Sequence, residues 1–171
     1  ADFGLVKGFQ SNSKKERSSL SHFFLNYDSD LKLENFKTSK LFISAEQVSN
    51  DTYLKIFDAY ITKSNVRPSN LSNLNNQIKL TLEGEKYNFT SGFHAYEDLN
   101  ILNTSDRYQF ILPYYNFETS FEQTNLNGSF TFNSSGSNNL NATNNLKSNI
   151  INNLNYSQGN ITNFGFNNNY N

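Results

Sequence analysis

The strongest constraint in this chain is a hydrophobic period of two. From Phe23 to Leu33 the odd positions read Phe23, Leu25, Tyr27, Ser29, Leu31 and Leu33, against Phe24, Asn26, Asp28, Asp30 and Lys32. Successive side chains of a strand point to opposite faces, so this pattern predicts a strand with one apolar and one polar side. Leu41, Ile43 and Ala45 alternate with Phe42, Ser44 and Glu46 in a second strand. Ile78, Leu80 and Leu82, then Tyr87, Phe89, Ser91, Phe93 and Ala95, flank a Gly84-Glu85 loop. A type II′ turn there, with Gly at its first central position, predicts a hairpin pairing Leu82 with Tyr87 and Leu80 with Phe89.

The stretch 107–122 alternates with a change of phase. Tyr108, Phe110, Leu112 and Tyr114 share one parity, and beyond Pro113 the apolar set becomes Tyr115, Phe117 and Phe121. A proline inside a strand with a parity switch predicts a bulge or kink. Further strands are expected around Leu126–Phe132 and 146–156, and at the C-terminal Phe164, Phe166 and Tyr170. Only Asp51-Thr-Tyr-Leu-Lys-Ile-Phe57 hints at a helix. Connections alternate in length: short turns near 34–37, Gly84-Glu85, Thr124-Asn125 and Gln158-Gly159, longer loops over about 49–75, 98–106 and 134–143.

Composition narrows the classes. Fourteen basic residues against fifteen acidic ones provide no field for nucleic acid, so no nucleic-acid partner is expected. The longest apolar run, 110–115, is too short for a membrane-spanning helix. Without cysteine there is no disulfide, thiolate nucleophile or cysteine-ligated metal. Asparagine is abundant, 31 of 171 residues, and from Asn125 to Asn171 the only charge is Lys147. Neutral polarity is therefore concentrated in an Asn-rich part, 125–171.

Strands with one wet face, joined by alternating short and long connections, fit an outer-membrane β-barrel. A secreted antiparallel β-protein with one solvated face has the same alternation. Little chemistry is visible. His22 and His94 sit on polar-face positions and lack ligand-spaced partners, so no catalytic residue, metal ligand or cofactor is expected. Lys14-Lys-Glu-Arg17 reads as a solvated basic cluster. An adhesin or fibre segment is the alternative to a barrel wall, and an outer-membrane hydrolase, which would need a specific Ser–His contact, is a third reading.

Val48-Ser-Asn-Asp-Thr-Tyr-Leu-Lys55 is the most specific segment. It resembles the signature of the LPS-assembly outer-membrane protein family LptD, the organic solvent tolerance family, through Val48, Ser49, Asn50, Asp51, Thr52, Tyr53 and Leu54. Arg17 with Ser21-His22-Phe23, and Asp106-Arg107-Tyr108 through Leu112-Pro113, resemble flanking features of that family in the same order. The resemblance covers about residues 15–120, and Arg107, Tyr108 and Pro113 join the signature as its structural residues. It implies an integral outer-membrane barrel that inserts lipopolysaccharide into the outer leaflet. It also implies an LptE-like lipoprotein plug, and periplasmic bridge proteins reached through a domain not present in this chain. Residues 1–171 would then be an internal, partial β-barrel of about eight strands, non-enzymatic, with the 49–75 loop outside the cell and Asp51 capping a short turn.

Overall fold

The alternation builds strands as expected, and they join into one sheet. A computed structural model describes residues 1–6, 20–101, 107–123, 128–141, 145–161 and 167–170. The strands are β1 (Asp2–Val6), β2 (Leu20–Asp30), β3 (Thr38–Val48), β4 (Asn73–Glu83), β5 (Tyr87–Asp98), β6 (Tyr108–Gln123), β7 (Gly128–Asn141), β8 (Asn145–Ile161) and β9 (Asn167–Tyr170). Two single-turn helices, α1 (Tyr53–Ile56) and α2 (Asp58–Ile61), lie between β3 and β4. Arg17, the 14–17 cluster, the 124–125 turn, Asp106, Phe164 and Phe166 lie outside the described residues.

All nine strands form an antiparallel meander in chain order, with β1 and β9 at the two edges. The sheet is open, which corrects the closed transmembrane barrel expected from the alternation. The physical reason is that alternation specifies two unlike faces but not closure. Closure needs the first and last strands to pair, and here they are the two ends of the strand order. An open sheet also leaves unpaired N–H and C=O groups along its edges, and hydrocarbon cannot satisfy them. The integral outer-membrane position, which rested on a closed barrel, therefore does not hold for this sheet. Among the described residues no helix is long and apolar enough to cross a membrane.

Loop rhythm is corrected as well. Residues 134–141 belong to β7, and Gln158-Gly159 lies inside β8. The short-long alternation that placed 49–75 outside a cell thus breaks down. The Asn- and Ser-rich stretch 134–141 is paired strand, with Ser134 and Asn138 on one side of the sheet and Ser135, Ser137 and Asn139 on the other.

The β4–β5 hairpin is shifted by two residues from the expected register. Leu82 is opposite Phe89 and Leu80 opposite Ser91. Gly84 N–H donates to the Tyr87 carbonyl at 2.8 Å, leaving Glu85-Lys86 at the tip. A shift of two preserves the faces, because side-chain direction repeats every two residues.

The phase change in β6 is a bulge. Gly92 pairs with Tyr114 but His94 pairs with Ile111, and the β6–β7 register also shifts between Ile111 and Tyr114. One extra residue around the cis Leu112–Pro113 bond returns the apolar side chains on both sides of it to a single face.

Followed through the register, that face runs across the sheet. It carries Phe23, Leu25 and Tyr27, then Leu41 and Ile43, then Ile78, Leu80 and Leu82, and continues through Phe89, Phe93, Phe117 and Phe132 to Ile150 and Leu154. Among the described residues its only Asp, Glu, Lys, Arg or His is Glu97, at one end. Asp2, Asp28, Asp30, Lys40, Glu46, Lys79, Glu83, Asp98, Glu118, Glu122 and Lys147 all fall on the opposite parity.

Candidate functional site

The signature segment builds a cap at one end of the sheet. β3 and β4 stay paired only as far as Ser44 and Gln77, and the chain between them, 49–72, folds over that end. Phe24, Tyr53, Leu54, Ile61, Leu74 and Leu99 form the buried cluster beneath it. Leu54 is fully buried, which is worth roughly 2–3 kcal/mol relative to exposure.

Each signature residue has an assignable place. Val48 ends β3 opposite His22 and packs against the cluster. Ser49 closes onto Ser21 twice: its N–H donates to the Ser21 carbonyl at 2.9 Å, and its Oγ accepts from Ser21 N–H at 2.7 Å. Asn50 Oδ1 accepts from Thr52 N–H and Thr52 Oγ1 at 2.9 and 2.7 Å. That turn leads into α1, so Asn50 rather than Asp51 shapes the start of the helix.

Asp51 serves a longer-range contact. Arg107 donates to both its carboxylate oxygens, Nη1 to Oδ2 at 3.0 Å and Nη2 to Oδ1 at 2.5 Å. The same guanidinium holds Glu97, Nε to Oε1 at 2.8 Å, and Tyr108 Oη donates to that oxygen at 3.2 Å. A planar fork satisfying two carboxylates ties the cap to β5 and β6. The hydrogen bonds from Arg107 hold the Asp51 carboxyl below its ordinary range, and the two carboxylates raise Arg107. Pro113 stands apart from this cluster, at the β6 bulge.

A second polar tie uses Tyr53. Its hydroxyl meets His22 Nδ1 at 2.8 Å, and His22 stacks on Phe24 with centroids 4.5 Å apart. His22 Nε2 faces Asp2 of β1 at 3.6 Å, so the histidine bridges cap and edge strand. A hydrogen bond from Ser64, assisted by His22, keeps the Asp2 carboxyl below its ordinary range. Although His22 occupies a polar-face position, only 10% of its side chain is exposed, because the cap covers that face locally.

His94 lies farther along the polar face, with Tyr96 and Tyr114 stacked on it at 5.4 and 5.1 Å. Its Nδ1 is 3.2 Å from Tyr96 Oη and 3.4 Å from Asn75 Oδ1. Burial, and then the charge of Lys79, push its imidazole down. Sequence reasoning missed Glu97, the His22–Tyr53 contact and the Tyr114 stack. The available signal for Glu97 was its parity, a lone acid on an otherwise apolar face.

Comparison of the chain with protein-family models, with curated proteins and with solved structures returns no match. The resemblance to LptD through 48–54, Arg107, Tyr108 and Pro113 is therefore not upheld as kinship. With the sheet open as well, a role as a barrel-wall segment of a lipopolysaccharide translocon falls away. The local geometry accounts for the signature without it: Val48 to Leu54 and Arg107 are the residues needed to seat a cap on this sheet.

Proposed function

We propose that this chain is a non-catalytic structural module that works by stacking its apolar sheet face on the same face of a second copy. The observation that carries this reading is the apolar face spanning the strands, whose one acid among the described residues, Glu97, is paired with Arg107 at one end. Phe3, Tyr27, Ile78, Phe93, Phe121, Ile150 and Leu154 are all exposed on it. Monomers seldom leave an apolar patch larger than about 300–600 Å² uncovered. The seven strands β2–β8, about 4.8 Å apart and each at least 11 residues long, give a face on the order of 1,200 Å². A stable interface needs roughly 800 Å² per partner.

Only an uncharged surface can cover such a face without stranding charges, and the face itself meets that requirement. Two copies related by a two-fold axis would make an aligned sandwich. The non-catalytic part is supported by how the histidines are used. His22 is engaged by Tyr53 and Asp2, and His94 by Asn75, Tyr96 and Tyr114.

Sedimentation velocity of the chain and of the Ile78→Lys/Phe93→Lys variant tests the reading. The expected result is a concentration-dependent dimer that dissociates at least tenfold more readily in the variant, with unchanged circular dichroism. Equal association of the two proteins would overturn it. So would a monomer that binds neutral phosphatidylcholine vesicles in place of a second copy.

A further inference from the structure

One patch of the polar face is built unlike its surroundings. Phe42 of β3 stands between Asp28 of β2 and Lys79 of β4 in one cross-strand row, with Lys40 two residues away along its own strand. Together with Gln77 and Glu83 these residues border a recess of about 520 Å³. Among the described residues the Phe42 ring meets no other ring, whereas Phe24, Tyr96 and Tyr114 of the same face each stack with a histidine. The polar side chains around it are free as well. Asp28, Lys40, Gln77, Lys79 and Glu83 make no side-chain hydrogen bond or ion pair among the described residues. One row nearer the cap such groups do bond each other, Ser44 Oγ donating to Asn26 Oδ1 at 2.9 Å.

We infer that this recess binds a neutral oligosaccharide, with the C–H face of one pyranose ring laid on Phe42. Two carboxylates and two ammonium groups leave the border without net charge. A balanced border gains nothing from a phosphate-bearing strand, which needs a positive surplus. Lysine and amide N–H groups donate and carboxylates accept, so the border matches a ligand whose hydroxyls do both. The unstacked ring supplies a flat apolar floor, which small polar solutes do not use and a sugar ring does. From Gln77 to Glu83 the recess runs about 20 Å along β4, and its three strands make it about 10 Å wide, a trough for a chain of sugars. The inference goes beyond face stacking, because it uses the opposite side of the sheet. An apolar-face dimer leaves that side outermost, so the pair presents one recess on each outer surface.

Calorimetric titration of the full chain with cellotetraose, maltotetraose and tetra-N-acetylchitotetraose tests the site. At least one of these is expected to bind saturably, with a dissociation constant on the order of 1 mM or tighter. Phe42→Leu keeps an apolar side chain and removes the ring, so it should weaken that binding about tenfold. Lys79→Ala, at an exposed position that leaves the strand intact, should weaken it at least about threefold. Raising sodium chloride from about 0.1 to about 1 M should leave the constant unchanged, because the ligand carries no charge. Absence of binding by all three sugars at about 10 mM overturns the inference. So does equal binding by the native chain and both variants, or tighter binding of tetraglutamate or tetralysine, which would make the recess a peptide site. The Ile78→Lys/Phe93→Lys variant, altered only on the other face, should bind the same sugar as the native chain does, so failure of face stacking is read apart from failure of this site.

Discussion

Arg107 shows how one side chain can join elements far apart in sequence. It sits 56 residues from Asp51 and is only 13% exposed, so its charge must be answered locally by Asp51 and Glu97. Replacing Asp51 with Asn removes one of two carboxylates without removing bulk. Because the Asp51 side chain is 31% exposed, solvent discounts the loss, and a destabilisation of about 1–2 kcal/mol at neutral pH is expected. The Asp51 carboxyl is depressed in the folded state. Its stabilisation is therefore complete above its unfolded value of about 3.9 and lost as pH falls through the lower folded value. Chemical denaturation at pH 7 should separate the native chain from Asp51→Asn, and below about pH 4 the two curves should converge. A constant gap at every pH would remove the ion pair as its cause.

Strand spacing makes a different demand at Gly92, on β5 beside the bulge. A Cβ there would fall inside the contact radius of the Ile78 carbonyl oxygen on β4 and lie 2.9 Å from Tyr114 Oη. The backbone oxygen cannot swing aside as a side chain can. Gly92→Ala should therefore cost about 1–3 kcal/mol, read as a shift in denaturation midpoint with unchanged m-value. An equally stable variant would mean that β4 and β5 are less closely set than this register requires. The parity switch at Pro113 made this region visible in sequence, since apolar positions changed phase across the proline. The partner strand that absorbs the extra residue was not visible, because a bulge is a relation between two strands. The hairpin register moved by two residues for a related reason. Face parity is strongly specified, whereas register within one parity depends on which turn closes best.

An assembly held by an apolar face should behave unlike one held by ion pairs. Raising sodium chloride from 0.1 to 1 M screens charge and leaves apolar burial intact or strengthened. The self-association constant is therefore expected to hold or rise over that range, and a tenfold fall in sedimentation experiments would assign the contact to the charged polar face. What the described residues lack is a covering layer for the apolar face, which a second copy of that face would supply.

By itself, the sequence determined that this protein is antiparallel β, where its apolar positions fall, that β6 changes phase at Pro113, and that the segment around Tyr53 turns helical. These are local properties, set by side-chain direction and by neighbours one to four residues away. Only the tertiary structure decided that the sheet remains open, that 134–141 is strand rather than loop, and that Asp51 answers Arg107 instead of capping a turn. Those outcomes depend on pairing between distant residues. An alternating strand is equally suited to a barrel wall or to one layer of a stacked sheet, and its pattern is identical in both. Which strand lies beside the last one distinguishes the two, and the period of a single strand carries no information about that.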